Sequence, residues 1–256
     1  MIHSKEINHK RGTRLNKRVL KVLNNANIVV SNSEFTKKLA IDIGVNENLI
    51  TVINPGIEKL KSISSKSLEK AEELLKNRSP RLITVARMDK RKNHEKVIMA
   101  LRNLKELHPR IIYTCIGYGD EEQNIKKLTR QLFLDDQILF LNNISQDLKN
   151  ALISKSDLFV MPTITYKKSV EGFGIVFIEA AQHGIPSIGG RDGGASDAII
   201  HEKTGLICDG NKLEDVYNSI NNLLINKKYL EYGINAKKNS ENFYWSKIIE
   251  KYKKIL

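Results

Sequence analysis

Cysteine is scarce in this sequence, which has only Cys115 and Cys208 among its 256 residues. Two cysteines far apart, each inside an apolar run, exclude a disulfide framework and a cysteine-based metal site. Long apolar runs are absent as well: no stretch approaches the ~18 residues that span a bilayer, and the first residues lack the apolar region of a signal peptide. We therefore expect a cytoplasmic protein whose membrane contact, if any, is peripheral.

The composition also lacks the biases that prevent a folded core. Hydrophobic residues make up 41% of the chain and charged residues 28%, with 15 glycines and 5 prolines. These values exclude a collagen-like chain, a coiled coil and general disorder. A chain of 256 residues is long enough for one large domain or two small ones.

Acidic residues are outnumbered by basic ones. The chain has 42 lysines and arginines against 29 aspartates and glutamates, a formal net charge of +13. Such a charge permits contact with nucleic acid, an anionic membrane or a phosphorylated ligand. However, the sequence contains no motif of a nucleic-acid-binding module, and an AT-rich genome also enriches Lys, Asn and Ile together. We expect no nucleic acid partner.

The segment 9–25 has the pattern of a basic amphipathic helix. The apolar residues that recur at helical spacing are Leu15, Val19, Val22, Leu23 and Ala26. Lysines and arginines take the other side of the predicted helix. Two interpretations remain open: a surface helix with a solvated cationic face, or a helix that docks on anionic lipid.

Residues 81–188 alternate between strand and helix patterns. Apolar runs predict strands at 81–86, 111–116, 138–141, 158–161 and 185–188. Helical periodicity is found between them at 93–107, 120–132, 145–155 and 174–183. This alternation predicts an α/β fold with a parallel sheet covered by helices on both faces. Ligands of such a fold bind beyond the carboxyl ends of the strands.

The residues before position 81 carry a shorter set of signals. The Ser and Asn residues of 31–34 suit the N-cap of a helix that runs to about Ile43, and an apolar run at 49–53 predicts a strand. Asn54-Pro55-Gly56 then stops the strand, which we interpret as a domain edge.

Cations follow the first strand of the alternating region. Residues 87–94 read Arg-Met-Asp-Lys-Arg-Lys-Asn-His, which places Arg87 and Lys92 where the crevice of an α/β sheet is expected. A guanidinium can bind two phosphate oxygens at once, and an ammonium can neutralise a third. The alternative is a solvated basic turn, and these residues alone do not distinguish the two.

A glycine-rich turn precedes the helix predicted at 174–183. Gly172 and Gly174 flank the start of this helix, where free backbone N–H groups and the helix dipole favour an anion. Glu171 lies just before the turn. Glu179 lies about one turn into the helix, where a carboxylate can accept hydrogen bonds from two neighbouring ribose hydroxyls.

Two more glycine-containing segments follow strands. Gly117-Tyr118-Gly119 fits either a close approach to a ligand or an ordinary strand-to-helix turn. Residues 189–194 read Gly-Gly-Arg-Asp-Gly-Gly and predict a flexible loop that forms a wall of the same crevice. No His, Asp, Glu or Cys group has metal-ligand spacing, and we expect no metal cofactor.

The order of these motifs resembles glycosyltransferase family 4, the retaining sugar transferases of GT-B fold. The residues that carry the resemblance are Arg87, Lys92, Gly117, Gly119, the strand at 156–162, Glu171 to Gly174, Glu179 and Gly184-Ile185-Pro186. The resemblance extends from about Asn27 to the end of the chain. Residues 170–198 are most similar to bacterial mannosyltransferases.

The resemblance implies a role for each matching position. Arg87 and Lys92 would hold the donor diphosphate and stabilise its charge as the glycosidic bond breaks. Glu171 would contact hydroxyls of the donor sugar, and Glu179 would bind the ribose. The remaining donor-binding positions would be Gly117, Gly119, Gly172, Phe173, Gly174 and Ile175. Family members use front-face attack by the acceptor and need no metal.

The resemblance also implies a division of the chain. Residues 1–58 would be a remnant of the N-terminal acceptor domain and 59–80 a linker with a helix. Residues 81–240 would form the Rossmann-like donor domain, and 241–256 a helix that crosses back. The family usually has a whole N-terminal domain, and here only its last fifty-odd residues have a counterpart. His3 resembles a histidine that faces the cleft in some members.

Two functions remain open at this level. The first is an enzyme that transfers a hexose, in particular mannose, from a GDP- or UDP-sugar to a cell-surface glycan such as lipopolysaccharide, or to a lipid-linked acceptor. The second is a nucleotide-sugar-binding fragment or subunit that needs a partner chain to supply the acceptor domain.

Overall fold

A computed structural model describes residues 1–8 and 11–255 of the chain. Within these residues the strands form a two-stranded sheet and a six-stranded sheet, and every strand pair is parallel. The strands are β1 Val29–Ser31, β2 Ile50–Val52, β3 Arg81–Val85, β4 Ile112–Ile116, β5 Ile138–Leu141, β6 Leu158–Met161, β7 Ser187–Gly190 and β8 Gly205–Cys208.

Helices connect these strands. They are α1 Ser4–Ile7, α2 Arg14–Asn24, α3 Glu34–Ile43, α4 Ser65–Leu75, α5 His94–Leu107, α6 Glu122–Gln131, α7 Gln146–Ser154, α8 Ile175–Gln182, α9 Ala195–Ala198, α10 Leu213–Leu224, α11 Lys228–Ser240 and α12 Trp245–Lys253. Parallel neighbours require crossover connections, and helices supply them here. The predicted α/β fold is confirmed.

The strand order of the large sheet is β5-β4-β3-β6-β7-β8. From β3 the chain first adds β4 and β5 on one side, then returns to place β6 on the other side of β3. The order therefore reverses between β3 and β6, and ligands of open α/β sheets bind in the crevice at such a point. The segments that follow these two strands are those with the cations and with Glu171.

Two hydrophobic clusters lie on opposite faces of this sheet. Leu82 and Val160 point into the cluster formed with α5, α6 and α10. Their neighbours Ile83 and Phe159 point into the cluster formed with α4, α7, α8 and α9. Successive side chains of a strand face opposite ways, so continuous apolar runs indicate a sheet that is buried on both faces. Burial of each large apolar side chain contributes about 1.5–3 kcal/mol.

The prediction for the fifth strand of the alternating region was wrong in position. A strand was expected at 185–188, with a flexible loop from Gly189, but β7 runs from Ser187 to Gly190. Both glycines are buried within the strand. A Cβ on Gly190 would collide with the backbone of Thr163, so the sheet needs a residue without a side chain there. The glycines therefore serve strand packing rather than loop flexibility.

The predicted basic helix is shorter than expected, and its buried face differs. Residues 9 and 10 lie outside the described residues, and α2 begins at Arg14 because the side chain of Thr13 caps it. Leu15 and Val22 were assigned to the apolar side, yet they are 50% and 69% exposed. Asn16 is buried in their place, with its side-chain oxygen accepting from the N–H of Gly12 at 2.9 Å. Apolar spacing therefore predicted the helix but not which of its side chains are buried.

Residues 1–58, called here the N-terminal unit, contain the small sheet. Ile2 pairs with Ser31, which extends the edge of this sheet next to β1. From the other end of the chain, Ile248 of α12 packs against Val30 and Ile53. The N-terminal unit and α12 therefore share one apolar cluster. The described residues include no helix that could span a bilayer.

Candidate functional site

The segments after β3 and β6 are joined by hydrogen bonds at the reversal point of the sheet. The N–H of Ile164 donates to the carbonyl of Arg91 at 3.0 Å. The side chain of Asn93 donates to the carbonyls of Pro162 and Gly210 at 2.9 and 2.8 Å. Asn93 is buried and has a left-handed backbone, φ 62°. These bonds fix the cation-bearing segment against the segment that leads to Glu171.

Asp89 shapes the cation-bearing segment. Its side chain caps the short 3-10 helix Lys90–Lys92 by accepting from the N–H of Lys92 at 3.1 Å. Its second oxygen lies 3.3 Å from the guanidinium of Arg87. One carboxylate therefore caps the turn and also contacts the exposed Arg87.

Glu171 is the centre of a buried charge cluster. Its carboxylate lies 2.6 Å from the guanidinium of Arg91 and 2.5 Å from the ammonium of Lys92. The three side chains are only 12–13% exposed. Arg91 also lies 3.9 Å from Asp89, so two carboxylates match these two cations. With Arg87 beside Asp89 the five side chains have a net charge of +1, which favours an anion.

The pKa values in this cluster reflect burial and neighbouring charge. Burial alone would raise the pKa of Glu171, yet Lys92 and Arg91 together lower it below its usual range. Burial, aided by the charge of Arg91, lowers the pKa of Lys92 against the opposing effect of Glu171. At neutral pH the carboxylate is ionised and keeps both cations in place.

The first turn of α8 lies next to this cluster. Gly174 caps the helix with a left-handed backbone, φ 83°, and no side chain caps the first N–H groups. A Cβ on Gly174 would lie 2.6 Å from the ring of Phe177 and 3.5 Å from Cγ of Glu171, so only glycine fits. Uncapped N–H groups at the positive end of a helix dipole form an anion site.

Gly117 and Gly119 support the loop that carries Arg87. A Cβ on Gly117 would collide with the carbonyl of Ala86, and one on Gly119 would lie 2.5 Å from the carbonyl of Met88. The N–H of Met88 donates to the carbonyl of Tyr118 at 2.9 Å. In the structure the two glycines contact Ala86 and Met88, the residues on either side of Arg87. Contact between these glycines and a sugar donor stays a prediction. Arg87 itself is 76% exposed and free to meet a ligand.

A cleft of about 420 Å³ opens beside α8, and both Ile175 and Glu179 line it. The carboxylate of Glu179 lies 3.0 Å from the ammonium of Lys149 on α7. The opposite wall consists of Trp245 and residues 56–61 of the segment that follows β2. The structure therefore places Glu179, which was predicted to bind the ribose, in the same cleft as Ile175 in the first turn of α8.

His3 lies where the N-terminal unit meets residues 171–174, called here the Glu171 turn. Its Nδ1 lies 3.1 Å from the side-chain nitrogen of Asn32. That same nitrogen would be 3.2 Å from a Cβ on Gly172. His3 is exposed. Its role as a cleft residue stays a prediction.

The sequence did not single out Asp89, Arg91 or Asn93. A signal for Asp89 was present, because an aspartate three residues before Lys92 has the spacing of a helix cap. No such signal shows that Arg91 and not Lys90 belongs to the site, because both are basic residues of the same run. Among the described residues, no group of three or more His, Cys, Asp or Glu side chains could hold a metal ion.

His94, the first residue of α5, provides a test of how burial affects stability. It is 1% exposed, and neither ring nitrogen has a partner among the described residues. Burial lowers its pKa to about 4. The folded protein therefore keeps His94 neutral, whereas the unfolded chain binds a proton below pH 6.5.

We expect His94 to remove about 3 kcal/mol of unfolding free energy as the pH falls from 6.5 to 4. Urea unfolding at several pH values in this window would measure the loss. In His94→Leu the free energy of unfolding should fall less steeply with decreasing pH than in the parent. The difference between the two slopes is the part due to His94 and not to His183, whose pKa is also about 4. Equal slopes in the two proteins would contradict the assignment.

Comparison with protein families gives a match over most of the chain. The family model described as "Glycosyl transferases group 1" matches residues 65–240. A GDP-mannose-dependent alpha-(1-6)-phosphatidylinositol monomannoside mannosyltransferase of Mycobacterium tuberculosis is 31% identical over 150 residues, 58% of this chain and 39% of the relative. An uncharacterized glycosyltransferase of Methanocaldococcus jannaschii is 30% identical over 239 residues, 91% of this chain and 59% of the relative.

Solved structures show the same fold at lower identity. HepE of Anabaena, in complex with UDP, superposes with a TM-score of 0.82 at 20% identity, over 94% of this chain and 66% of HepE. Sucrose-phosphate synthase of Thermosynechococcus elongatus gives 0.78 at 22% identity, over 94% and 60% of the two chains. The chain spans between 39% and 59% of the length of the two curated relatives.

Proposed function

The chain belongs to the group 1 glycosyl transferases and has the α/β fold of the GT-B enzymes, and we propose that it binds a nucleoside-diphosphate hexose and transfers the sugar. In this proposal the hexose is mannose, and the acceptor is a cell-surface glycan or a lipid-linked molecule. The name of the mycobacterial relative supports a GDP-mannose donor. HepE was solved with UDP, which supports a UDP-sugar as the other candidate.

The observation that carries the proposal is the position of the charge cluster beside α8. Arg91 and Lys92, matched by Glu171 and Asp89, lie next to the uncapped first turn of that helix. Arg87 adds an exposed guanidinium on the adjoining loop. Cations beside the free N–H groups of a helix start suit a diphosphate, whose negative charge grows as the sugar leaves.

The side chains of the site divide the tasks of the proposed reaction. The bond between the anomeric carbon and the diphosphate breaks while the acceptor oxygen bonds to the same face of that carbon. The acceptor proton moves to the leaving phosphate, so no enzyme carboxylate is needed as a base. Arg87 and Lys92 stabilise the departing diphosphate, and Glu171 orients sugar hydroxyls while holding Lys92 in place.

A second candidate function is that of a donor-binding subunit whose acceptor domain comes from a partner chain. An apolar groove of about 280 Å³ in the N-terminal unit favours it, because exposed apolar surface marks partner sites. Val22 and Ile7 line this groove, and Arg18 lies at its rim. The cationic α2 alongside would also allow peripheral contact with anionic lipid at the inner face of the membrane.

Calorimetric titration of the purified chain with GDP, UDP and ADP tests the proposal, with a chelator present in one series. Micromolar binding that selects one base and survives the chelator would support a working donor site. GDP-mannose and UDP-glucose would then be added to measure release of the nucleoside diphosphate. Binding without release would favour the subunit, and no binding to any nucleotide would refute both candidates.

Glu179→Ala is expected to weaken binding of the selected nucleoside diphosphate by about 10- to 100-fold, because a carboxylate that accepts from ribose hydroxyls contributes about 1.5–3 kcal/mol. Titration calorimetry measures the change. The 2′-deoxy nucleotide should show a smaller difference between variant and parent, since one hydroxyl is already missing. Glu69→Ala, on the exposed side of α4, is the control. An unchanged Kd in Glu179→Ala would remove the ribose role.

A further inference from the structure

Ser33 joins the N-terminal unit to the turn that begins α8. Its hydroxyl accepts from the N–H of Thr36 at 3.0 Å, which caps α3. The same hydroxyl lies 2.5 Å from the carbonyl oxygen of Gly172 and donates to it. Ser33 is fully buried. One side chain thus caps the start of α3 and donates to a carbonyl that is 139 residues away in sequence.

The Glu171 turn is held on its other side by the segment after β7. The N–H of Gly194 donates to the carbonyl of Glu171 at 2.8 Å. Asp197, a few residues on, accepts from the N–H of Glu34 at 2.7 Å, at the start of α3. The start of α3 therefore contacts the turn directly through Ser33 and indirectly through Asp197.

Packing around Gly172 leaves little freedom for the turn. A Cβ at this position would lie 3.0 Å from Oγ of Ser4 and 3.2 Å from the side-chain nitrogen of Asn32. Both residues belong to the N-terminal unit. The backbone from Glu171 to Gly174 is therefore confined between this unit and the residues after β7, while the Glu171 side chain is confined by Arg91 and Lys92.

We propose that Ser33 is a positioning residue of the donor site, acting through the carbonyl of Gly172 on the N–H groups that begin α8. The proposal rests on the nucleotide-sugar function given above. Without the hydroxyl, the Gly172 carbonyl loses its donor and the turn relaxes. The N–H groups of residues 173–176 then no longer point at one place, and a bound phosphate loses part of its contacts.

Three variants separate this role from the capping of α3. Ser33→Ala removes the hydroxyl together with its hydrogen bonds to the carbonyl of Gly172 and to the N–H and Oγ1 of Thr36. Ser33→Thr keeps a hydroxyl at this position. Asn46→Ala removes a different cap in the same unit, where Asn46 accepts from the N–H of Asn48 at 3.0 Å. If Ser33 acted only as a cap, Ser33→Ala would lower the thermal stability without changing the nucleotide affinity or hydrogen exchange in residues 170–177.

The experiment combines titration of each variant with the nucleoside diphosphate that the parent binds, thermal unfolding, and hydrogen exchange of the peptide containing residues 170–177. Ser33→Ala should weaken binding by about tenfold and speed exchange in this peptide. Ser33→Thr should restore both, and Asn46→Ala should change neither.

Unchanged affinity in Ser33→Ala, or an equal loss in Asn46→Ala, would overturn the positioning role while the proposed function stands. A parent protein that binds no nucleotide would overturn the proposed function and this inference with it. Hydrogen exchange also guards against misfolding, because a misfolded variant exchanges faster throughout the chain rather than in the one peptide.

Discussion

Arg87→Ala is expected to weaken binding of the nucleoside diphosphate by about 2–4 kcal/mol, or about 30- to 900-fold, because a bidentate guanidinium contributes two charge-assisted bonds. The melting temperature should hardly change. Arg87 is 76% exposed and contacts only Asp89 at 3.3 Å among the ion pairs of the described residues. Titration calorimetry and thermal unfolding of the same preparation measure both quantities.

The control for Arg87 is Arg102→Ala, which removes one equally charged, exposed side chain from α5. It should leave the affinity within about twofold of the parent, since distant surface charge is screened by salt. Arg87→Lys should fall between the two, because it keeps the charge but not the planar fork. An Arg87→Ala protein with the parent's affinity would place the diphosphate elsewhere.

Glu171→Ala is expected to lower the free energy of unfolding by about 3 kcal/mol, because it removes the ion-pair partner of Lys92 and leaves Arg91 with only Asp89 at 3.9 Å. Arg91 and Lys92 are 13% and 12% exposed, so water cannot replace the lost partner well. Urea unfolding at pH 7 measures the loss. Glu47→Ala, which removes the 63% exposed partner of Lys37, should cost less than about 1 kcal/mol.

The stabilising effect of Glu171 should also depend on pH. Its pKa is lowered in the folded protein, so the unfolded chain binds a proton first as the solution is acidified. The contribution is complete above about pH 4.5 and is lost as the pH falls below that value through the folded pKa. In Glu171→Ala this acid-dependent part should be missing. A loss below about 1 kcal/mol at pH 7 would contradict the buried cluster.

Much of the large sheet could be predicted because its signals are local. Apolar runs and helical spacing gave the strands and helices between 81 and 183 to within a few residues, and the family resemblance is confirmed by the family model. Two predictions failed where local patterns are ambiguous. Gly189 and Gly190 look like a loop until the backbone of Thr163 is placed against Gly190. Leu15 has the spacing of a buried residue, but it is 50% exposed and its neighbour Asn16 is buried instead.

The sequence by itself determined the fold class and the family, because periodicity, glycine turns and the order of motifs depend only on residues that are near one another in the sequence or on their order. It also indicated Arg87, Lys92, Glu171 and Glu179 as functional candidates. Tertiary structure alone decided which cations surround Glu171. The 3-10 turn capped by Asp89 points Arg91 and Lys92 inward and leaves Lys90 to pair with Glu121 on the surface.

Tertiary structure also decided that the Glu171 turn is shared between two parts of the chain. The hydrogen bond from Ser33 to Gly172 joins residues whose separation in sequence gives no hint of contact. Local patterns encode the shape of each segment. The partners of a buried polar group depend on which segments the whole fold brings together, because only burial removes the water that would otherwise satisfy it.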